Sequence, residues 1–462
     1  MYISIYIYIY IYIYIYLLIV SIIKLNCLFI KIYGTETENQ ILWNFYASAS
    51  EGSWQSVGSN SAQKLWVFSA FLDIRAKNVV KLIAVTHTNM ARRSKSHLWC
   101  KLWYKLNDNI TVMETVTAKL SIIQEHWNLP FSAYYVDCPL KGKNSCPEVV
   151  SLVTDLKHPL ENLLKVIVNY DVKNDWNPRI NSPFVDKMAL CVKPLHYEYN
   201  KVLDLLEFIE LYRILGVDHF VFYNHSVGPE VDCLLEKFRK ENIITILPWK
   251  LPLQSQKDIR TEGIFASLND CLFRTMHKYS HTIFVDLDEF IIPTNHYSFK
   301  EFFRFLYENH NIRKKSSFNF RNSFFYLQWP DDPDSKLFKD PIAQDLLVLR
   351  KTRRNVQFHP HNVRSKMIVR PDLISMVGNH FIWKYFNQLD FGNYMVDPND
   401  AFMAHYRLCE FGGDDCVHGP SIIDKTMYRY KDELIGTVQY RHTQYLSDCQ
   451  KNLINIRNAT LL

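Results

Sequence analysis

The sequence predicts an α/β protein, a mixed, mainly parallel sheet flanked by helices, preceded by a small β-rich domain. Three observations carry this reading. From Met188 onward, short apolar runs alternate with amphipathic helical patterns, as in a parallel sheet with right-handed crossovers. Between Gln63 and about Asn181 the pattern is instead a series of strand-like runs separated by polar turns. Finally, Thr282-Ile-Phe-Val-Asp-Leu-Asp-Glu-Phe-Ile-Ile-Pro293 reads as a buried central strand that runs into three carboxylates.

At 462 residues the chain can hold two or three domains and a large core. Its 48% hydrophobic and 22% charged residues are globular rather than disordered proportions. Glycine is scarce, with 13 residues, which argues against Gly-rich phosphate loops. No G-x-x-x-x-G-K-S/T, H-E-x-x-H or G-x-S-x-G motif occurs. The net charge of +6 includes no long basic block, so no nucleic-acid partner is expected. Arg313-Lys314-Lys315 and Lys351-Thr-Arg353-Arg354 read as solvated faces or phosphate contacts. The ten cysteines form no C-x-x-C pair, which disfavours a zinc ribbon or a thioredoxin-like site. Sequons at Asn109, Asn224 and Asn458 fit a secretory route, where disulfides among the downstream cysteines are expected with their pairing open.

Residues 1–33 form an apolar N-terminal segment, read as a signal anchor or as a mispredicted start. Its strict Ile-Tyr alternation over residues 5–16 has a strand period, and a dinucleotide repeat read as codons would produce it. No Lys or Arg precedes the apolar run, so the flanking charges do not support a type II orientation. Residues 34–62 read as a stem or linker, 63–185 as the β-rich domain, 186–450 as the α/β domain and 451–462 as a tail.

Within the β-rich part, Leu65–Asp73, Val79–Val85, Leu98–Tyr104 and Leu163–Val168 read as strands of a small sandwich. In the α/β part, Ala189–Val192 is a strand, and Asn200 is placed as the cap of a helix that Gly216 stops. His219–Asn224 and Ile243–Pro248 are the next strands, with helices over Val231–Lys240 and Ile264–His277. Ser298 and Glu301 form a capping box that opens an aromatic-rich helix.

On a regular strand Asp286 and Asp288 share a face, at the carboxyl end where open α/β sheets bind ligands. Hard oxygen ligands with open positions suit Mg²⁺ or Mn²⁺, which bring in a phosphorylated substrate. The bland alternative is an acidic strand-to-loop turn.

Further stretches set that choice in context. Phe208-Ile-Glu-Leu-Tyr-Arg-Ile-Leu-Gly-Val-Asp-His-Phe-Val-Phe-Tyr-Asn224, Asn269-Asp-Cys271, Phe284–Phe290, Lys366–Pro371 and His405-Tyr-Arg407 together resemble glycosyltransferase family 92. The likeness spans about residues 63–445 and includes Ser-Ala-Phe-Leu-Asp73-Ile-Arg75. It implies a GT-A-like fold in a Golgi membrane protein with a lumenal catalytic domain. The implied activity is inverting, metal-dependent transfer of galactose from UDP-galactose to a glycan acceptor, core fucose of N-glycans among the options. Mn²⁺ (or Mg²⁺) would be held by Asp286 and Asp288, with His405 completing the site. Pro194, His196 and Asn224 would frame the nucleotide, which leaves the sequon at Asn224 silent. Lys366, with Arg364 nearby, and Arg407 would supply positive charge to the donor. Asp400 leads the candidates for the general base, ahead of Asp397 and Glu410. From the residues themselves, Cys409 and Cys416 flank a Gly-Gly-Asp-Asp loop and are either a disulfide that closes it or a pair of free thiols. The alternatives are a transferase of another UDP-sugar, a non-catalytic carbohydrate-binding or scaffold protein with an inactive GT-A domain, and a metal-dependent nuclease.

Overall fold

The computed structural model describes residues 48–58, 64–90, 97–107, 110–141, 146–157, 159–169, 186–386, 392–410 and 415–459. The apolar segment 1–33 and most of the linker lie outside these residues, as do the expectations placed on them. Among the described residues, no helix is long and apolar enough to cross a membrane.

Among the described residues, the β-rich part is one nine-stranded sheet. Its strands are β1 (Gln55–Ser56), β2 (Leu65–Asp73), β3 (Val79–His87), β4 (Trp99–Asn107), β5 (Ile110–Thr117), β6 (Lys119–Ile122), β7 (Phe131–Pro139), β8 (Val149–Val153) and β9 (Leu164–Ile167). They run in the order β5-β4-β8-β9-β2-β3-β7-β6, with β1 beside β2. A sandwich of separate sheets is therefore corrected to a single sheet curled over its own core. Val67, Leu82 and Val136 of one half meet Cys100, Leu102 and Val150 of the other, and the Cys100–Cys138 disulfide ties β4 to β7. The physical reason is visible in β2, where residues of both faces are buried. One face fills the curl, and the other (Phe68, Phe71) packs on the helix Ile264–Thr275 of the second half.

That second half follows the expected alternation. It runs β10 (Met188–Val192), α1 (Val202–Ile214), β11 (His219–Asn224), α2 (Pro229–Lys240), β12 (Ile244–Pro248), α3 (Ile264–Thr275) and β13 (His281–Val285). Next come β14 (Glu289–Pro293), α4 (Phe299–Asn309), β15 (Lys315–Phe320), β16 (Asn322–Tyr326), α5 (Pro341–Asp345), α6 (Leu347–Arg350) and β17 (Arg353–Asn355). The remainder is β18 (Lys366–Val369), β19 (Ile374–Val377), β20 (Ile382–Tyr385), β21 (Gly392–Met395), β22 (Ala401–Arg407), β23 (Ser421–Ile423) and α7 (Lys431–Ala459). The residues expected as a tail from 451 continue α7 instead.

The main sheet has seven strands in the order β12-β11-β10-β13-β18-β15-β21, and only β18 runs against the others. A three-stranded sheet, β14-β22-β16, stands beside it. This is the mixed, mainly parallel sheet flanked by helices that the sequence predicts. The ends of β10, β11 and β13 open on one edge, because all three strands run parallel.

Two helix caps separate expectation from outcome. Ser298 accepts the amide of Glu301 and caps α4 as read, with the Glu301 carboxylate reaching back to the Tyr297 amide. Asn200 does not cap α1, whose N-cap is Lys201 without a side-chain bond. Its Oδ1 accepts the Val231 amide at 3.1 Å and so serves the start of α2. Gly216 ends α1 at φ 103°, a conformation that favours glycine.

Buried polar side chains join the parts. Asp270 on α3 is fully buried and accepts from Tyr223 of β11 at 2.6 Å, from Arg274 at 3.0 Å and from Ser69 of β2. Its neighbour Asn269 accepts from Tyr135 of β7 and from the Val377 amide, and donates to the Val377 carbonyl. The Asn-Asp-Cys stretch therefore couples the two sheets, and Cys271 is bonded to Cys191 of β10.

A further disulfide, Cys233–Cys449, fixes α7 to α2 across 216 residues of chain. Closing so long a loop restricts the unfolded state strongly, so Cys233→Ser is expected to cost about 2–4 kcal/mol. Urea unfolding of the oxidised protein and the variant measures this, and an unchanged midpoint would contradict it.

Glu207 on α1 accepts the amides of Leu347 and Val348 at 2.9 and 2.8 Å and so caps α6. Burial pushes its carboxyl from the usual 4.5 up to about 8, against the pull of both amides. The folded state thus holds this proton more tightly than the unfolded one. The associated stability is full below about 4.5 and is lost as pH rises towards about 8. Glu207→Gln is expected to flatten that part of the melting-temperature profile; a profile identical to the parent protein would count against it.

Candidate active site

Asp286–Asp288 form a turn between β13 and β14, which begins at Glu289, so the acidic stretch is not one continuous strand. The Glu289 amide donates to the Asp286 carbonyl at 3.1 Å, and the Glu289 carboxylate accepts the Asp286 amide at 2.8 Å. Asp286 and Asp288 therefore project from a closed turn, and the shared strand face is corrected. Tyr212 of α1 supports the turn from below, donating to the Glu289 carbonyl and accepting the Ile291 amide, both at 3.0 Å.

Strand β22 pairs antiparallel with β14 and sets His405 opposite Glu289. The Tyr406 amide donates to the Asp288 carbonyl at 2.9 Å, which locks that register. As a result His405 Nε2 lies 3.2 Å from Asp288 Oδ2, and Nδ1 lies 3.5 Å from Glu289 Oε1 without a formed hydrogen bond. The His405 side chain is 11% exposed, whereas that of Asp288 is 47% exposed and faces solvent.

Two lysines converge on the other side of the turn. Lys193, just beyond β10, places Nζ 2.9 Å from Asp286 Oδ2. Lys366 at the start of β18 is buried, with Nζ 3.6 Å from Asp286 Oδ2 and 3.2 Å from Glu289 Oε2. Burial alone would raise the Asp286 carboxyl, but Lys193 and Lys366 hold it well below the usual range. Burial likewise opposes ionisation of Asp288, and the His405 contact lowers it instead. Glu289 is pushed up, chiefly by burial. His405 moves up because Asp288 and Glu289 outweigh its burial.

The other sequence candidates fall at three places. Pro194 and His196 follow β10, with His196 Nδ1 2.8 Å from the Pro194 carbonyl. Asn224 ends β11 beside them, bridged to Leu195. Arg407 ends β22 and donates to Glu410 at 2.5 Å, while its guanidinium lies 5.3 Å from the Phe324 ring. Arg364 stands 5.5 Å from the same ring. Cys409 and Cys416 are disulfide-bonded.

Asp400 is not brought to the turn. It precedes β22 at the Pro293 end, where its carbonyl accepts the Thr294 amide at 2.8 Å. The strand from 400 to 405 separates it from His405 by roughly 16 Å at about 3.3 Å per residue. Asp397 lies at that same remote end. Of the three carboxylates considered for the base, only Glu410 lies at the end of β22 that holds His405 and Arg407. Sequence reasoning passed over Lys193, which is an ordinary strand-end lysine until β13 sets Asp286 against it.

A divalent ion can be tested against this donor set. Among the described residues, no three His, Cys, Asp or Glu side chains already form a metal cage. Asp288 and His405 nevertheless present a carboxylate oxygen and an imidazole nitrogen side by side, one of them open to solvent. Ions that work on phosphates are commonly held by one or two protein carboxylates and otherwise by substrate oxygens and water. Glu289 beside Nδ1 is the carboxylate partner that a metal-binding histidine usually has. The residues fit.

The model of the family described as Glycosyltransferase family 92 matches residues 186–453. The chain belongs to glycosyltransferase family 92. The matched range starts just before β10 and ends within α7, so it contains the acidic turn, both lysines and β22, and leaves out the curled sheet. Among curated proteins, a Caenorhabditis elegans protein named beta-1,4-galactosyltransferase galt-1 is 23% identical over 335 residues, 68% of each chain. The Caenorhabditis elegans glycosyltransferase family 92 protein F13G3.3 is also 23% identical, over 48% of this chain and 42% of its own length. Among solved structures, glucosyl-3-phosphoglycerate synthase from Mycobacterium tuberculosis, with Mn²⁺, UDP and phosphoglyceric acid, is 12% identical. It covers 55% of this chain and 78% of its own, with a TM-score of 0.23, too weak a likeness to place any residue of this family member.

Proposed function

We propose that this family 92 member is an inverting, metal-dependent galactosyltransferase that uses UDP-galactose and a glycan acceptor. The observation that carries the metal-dependent reading is the pairing of Asp288 with His405 beside Asp286 and two lysines. The choice of galactose is supported by the name of the relative at 23% identity. A Golgi membrane location is part of the same proposal and rests on the apolar N-terminal segment.

Asp288 and His405 would hold Mn²⁺ (or Mg²⁺), with Asp286 behind them. The bound ion would supply Lewis-acid neutralisation of charge on the departing diphosphate. Lys193 and Lys366 hold Asp286 ionised and place ammonium groups at the same edge as the strand ends that would frame the nucleotide. Arg407 offers a planar guanidinium suited to a phosphate, in exchange for its exposed contact with Glu410. Once Arg407 turns to phosphate, Glu410 is free to accept the acceptor hydroxyl proton.

Calorimetric titration of the protein with UDP, in Mn²⁺ and in EDTA, tests this. Metal-dependent binding that is lost in Asp288→Asn is the expected result, and binding indifferent to EDTA would refute the metal role. The pH dependence has a definite sign. His405 must be neutral to bind metal, and its proton is held above the ordinary range. Mn²⁺ affinity should therefore fall as pH is lowered, starting above the usual histidine range near 6.5. An affinity constant from about pH 8 to pH 6 would remove His405 from the ligand set.

A further inference from the structure

A cavity of about 170 Å³ lies under the β19–β20 hairpin, on the face of the main sheet opposite Phe318 and Ile368. Its floor is Ser317 and Asn319 of β15 and Met367 of β18, all buried. Asn393 and Met395 of β21 stand beside them, because β21 pairs with β15 in that register. Phe381 and Tyr385 supply aromatic surface on the hairpin side. Among the described residues, no charged side chain lines the space.

The chemistry of that lining is selective. A lining of side-chain amides and hydroxyls without a charge offers nothing to a diphosphate. It suits a neutral, hydroxyl-bearing ring whose apolar face can rest on an aromatic side chain. Hydrogen-bonding capacity remains open. Ser317 donates to Asn393 Oδ1 at 2.8 Å and meets the Tyr385 hydroxyl at 3.0 Å. The Asn393 amide nitrogen has only the Met395 sulfur, a weak acceptor, at 3.3 Å among the described residues. At about 30 Å³ per water the cavity would hold five or six waters, roughly the room that one pyranose ring needs.

Its position ties it to the acidic turn. Met367 adjoins Lys366, and these neighbours point to opposite faces of β18. Lys366 bridges the strand edge, binding Asn379 Oδ1 at 3.0 Å on the hairpin side and Glu289 Oε2 at 3.2 Å on the other. Asn319 of the cavity floor donates to the carbonyl of His380, the residue after Asn379. The cavity is thus near the proposed donor site but not part of it.

We propose that this cavity is a subsite for one neutral sugar unit of the acceptor glycan, beyond the unit that receives the transferred sugar. The proposal rests on the transferase reading for the word acceptor, while the sugar site rests on the cavity alone. The test uses the full chain and three probes, the methyl glycosides of L-fucose, D-galactose and N-acetylglucosamine, observed by saturation-transfer NMR. UDP binding with Mn²⁺ is followed in parallel by calorimetry. At least one glycoside is expected to bind at millimolar concentration. Met395→Trp, which fills the cavity, should weaken that binding about tenfold or more, the scale of 1.4 kcal/mol. Tyr385→Phe, which keeps the ring and removes only the hydroxyl, should weaken it about threefold, and both variants should bind UDP like the parent. UDP binding without glycoside binding, or glycoside binding unchanged in both variants, would overturn the subsite and leave the transferase reading intact. Glycoside binding without UDP binding would overturn the transferase reading and keep the cavity as a sugar site.

Discussion

Asp288→Ala is expected to lower transfer about 10³-fold with little change in stability. The carboxylate is half exposed and its side chain holds no other part of the fold, so its removal leaves no buried group unpaired except the His405 contact. Its proposed work is to hold the ion opposite the diphosphate, a contribution of several kcal/mol to the transition state. Each 1.36 kcal/mol is a factor of ten in rate. Glu289→Ala is the informative contrast. Glu289 is buried, closes the turn through the Asp286 amide and neutralises Lys366, so its loss should destabilise the fold as well as abolish activity. Rates and melting temperatures for both variants separate the two roles. An Asp288→Ala protein with parental activity would remove this carboxylate from the mechanism.

Asp270→Ala is expected to cost about 3–5 kcal/mol of stability, the usual effect of breaking a buried ion pair from one side. Arg274 would keep its charge in the interior with Asp270 gone, and Tyr223 and Ser69 would lose their acceptor. The curled sheet and the main sheet would lose one of their principal shared contacts. Urea unfolding should show a lowered midpoint, and if the two halves then melt apart, a second transition. A loss below about 1 kcal/mol would mean that the network is already solvated.

Much of the main sheet is readable because its elements obey local rules. The strands β10, β11 and β13 are short apolar runs, and α1 ends at a glycine that takes φ 103°. In the first sheet only β2, β3, β4 and β9 were legible; β1 and β5 to β8 were not, nor was the topology, since pairing β9 with β2 depends on distant partners. A two-residue spacing also carries no signal that the backbone will turn at Asp286 instead of extending. That turn follows from the Glu289 side chain reaching the Asp286 amide, a tertiary arrangement stabilised by Tyr212. For the same reason chain proximity misled over Asp400, which is near His405 in sequence but at the opposite end of an extended strand. Lys193 was invisible for the converse reason, being 93 residues (193 to 286) from the carboxylate it meets.

The central claim is tested most directly by UDP release from the full chain, measured against a panel of UDP-sugars with a core-fucosylated N-glycan present. Reactions contain either Mn²⁺ or EDTA, with Asp288→Ala alongside. The account predicts turnover of UDP-galactose in Mn²⁺ alone, lost in the variant. Turnover of a different sugar would contradict the donor assignment and leave the metal site standing. Absence of both turnover and UDP binding, from protein with a cooperative melting transition, would contradict the enzyme itself.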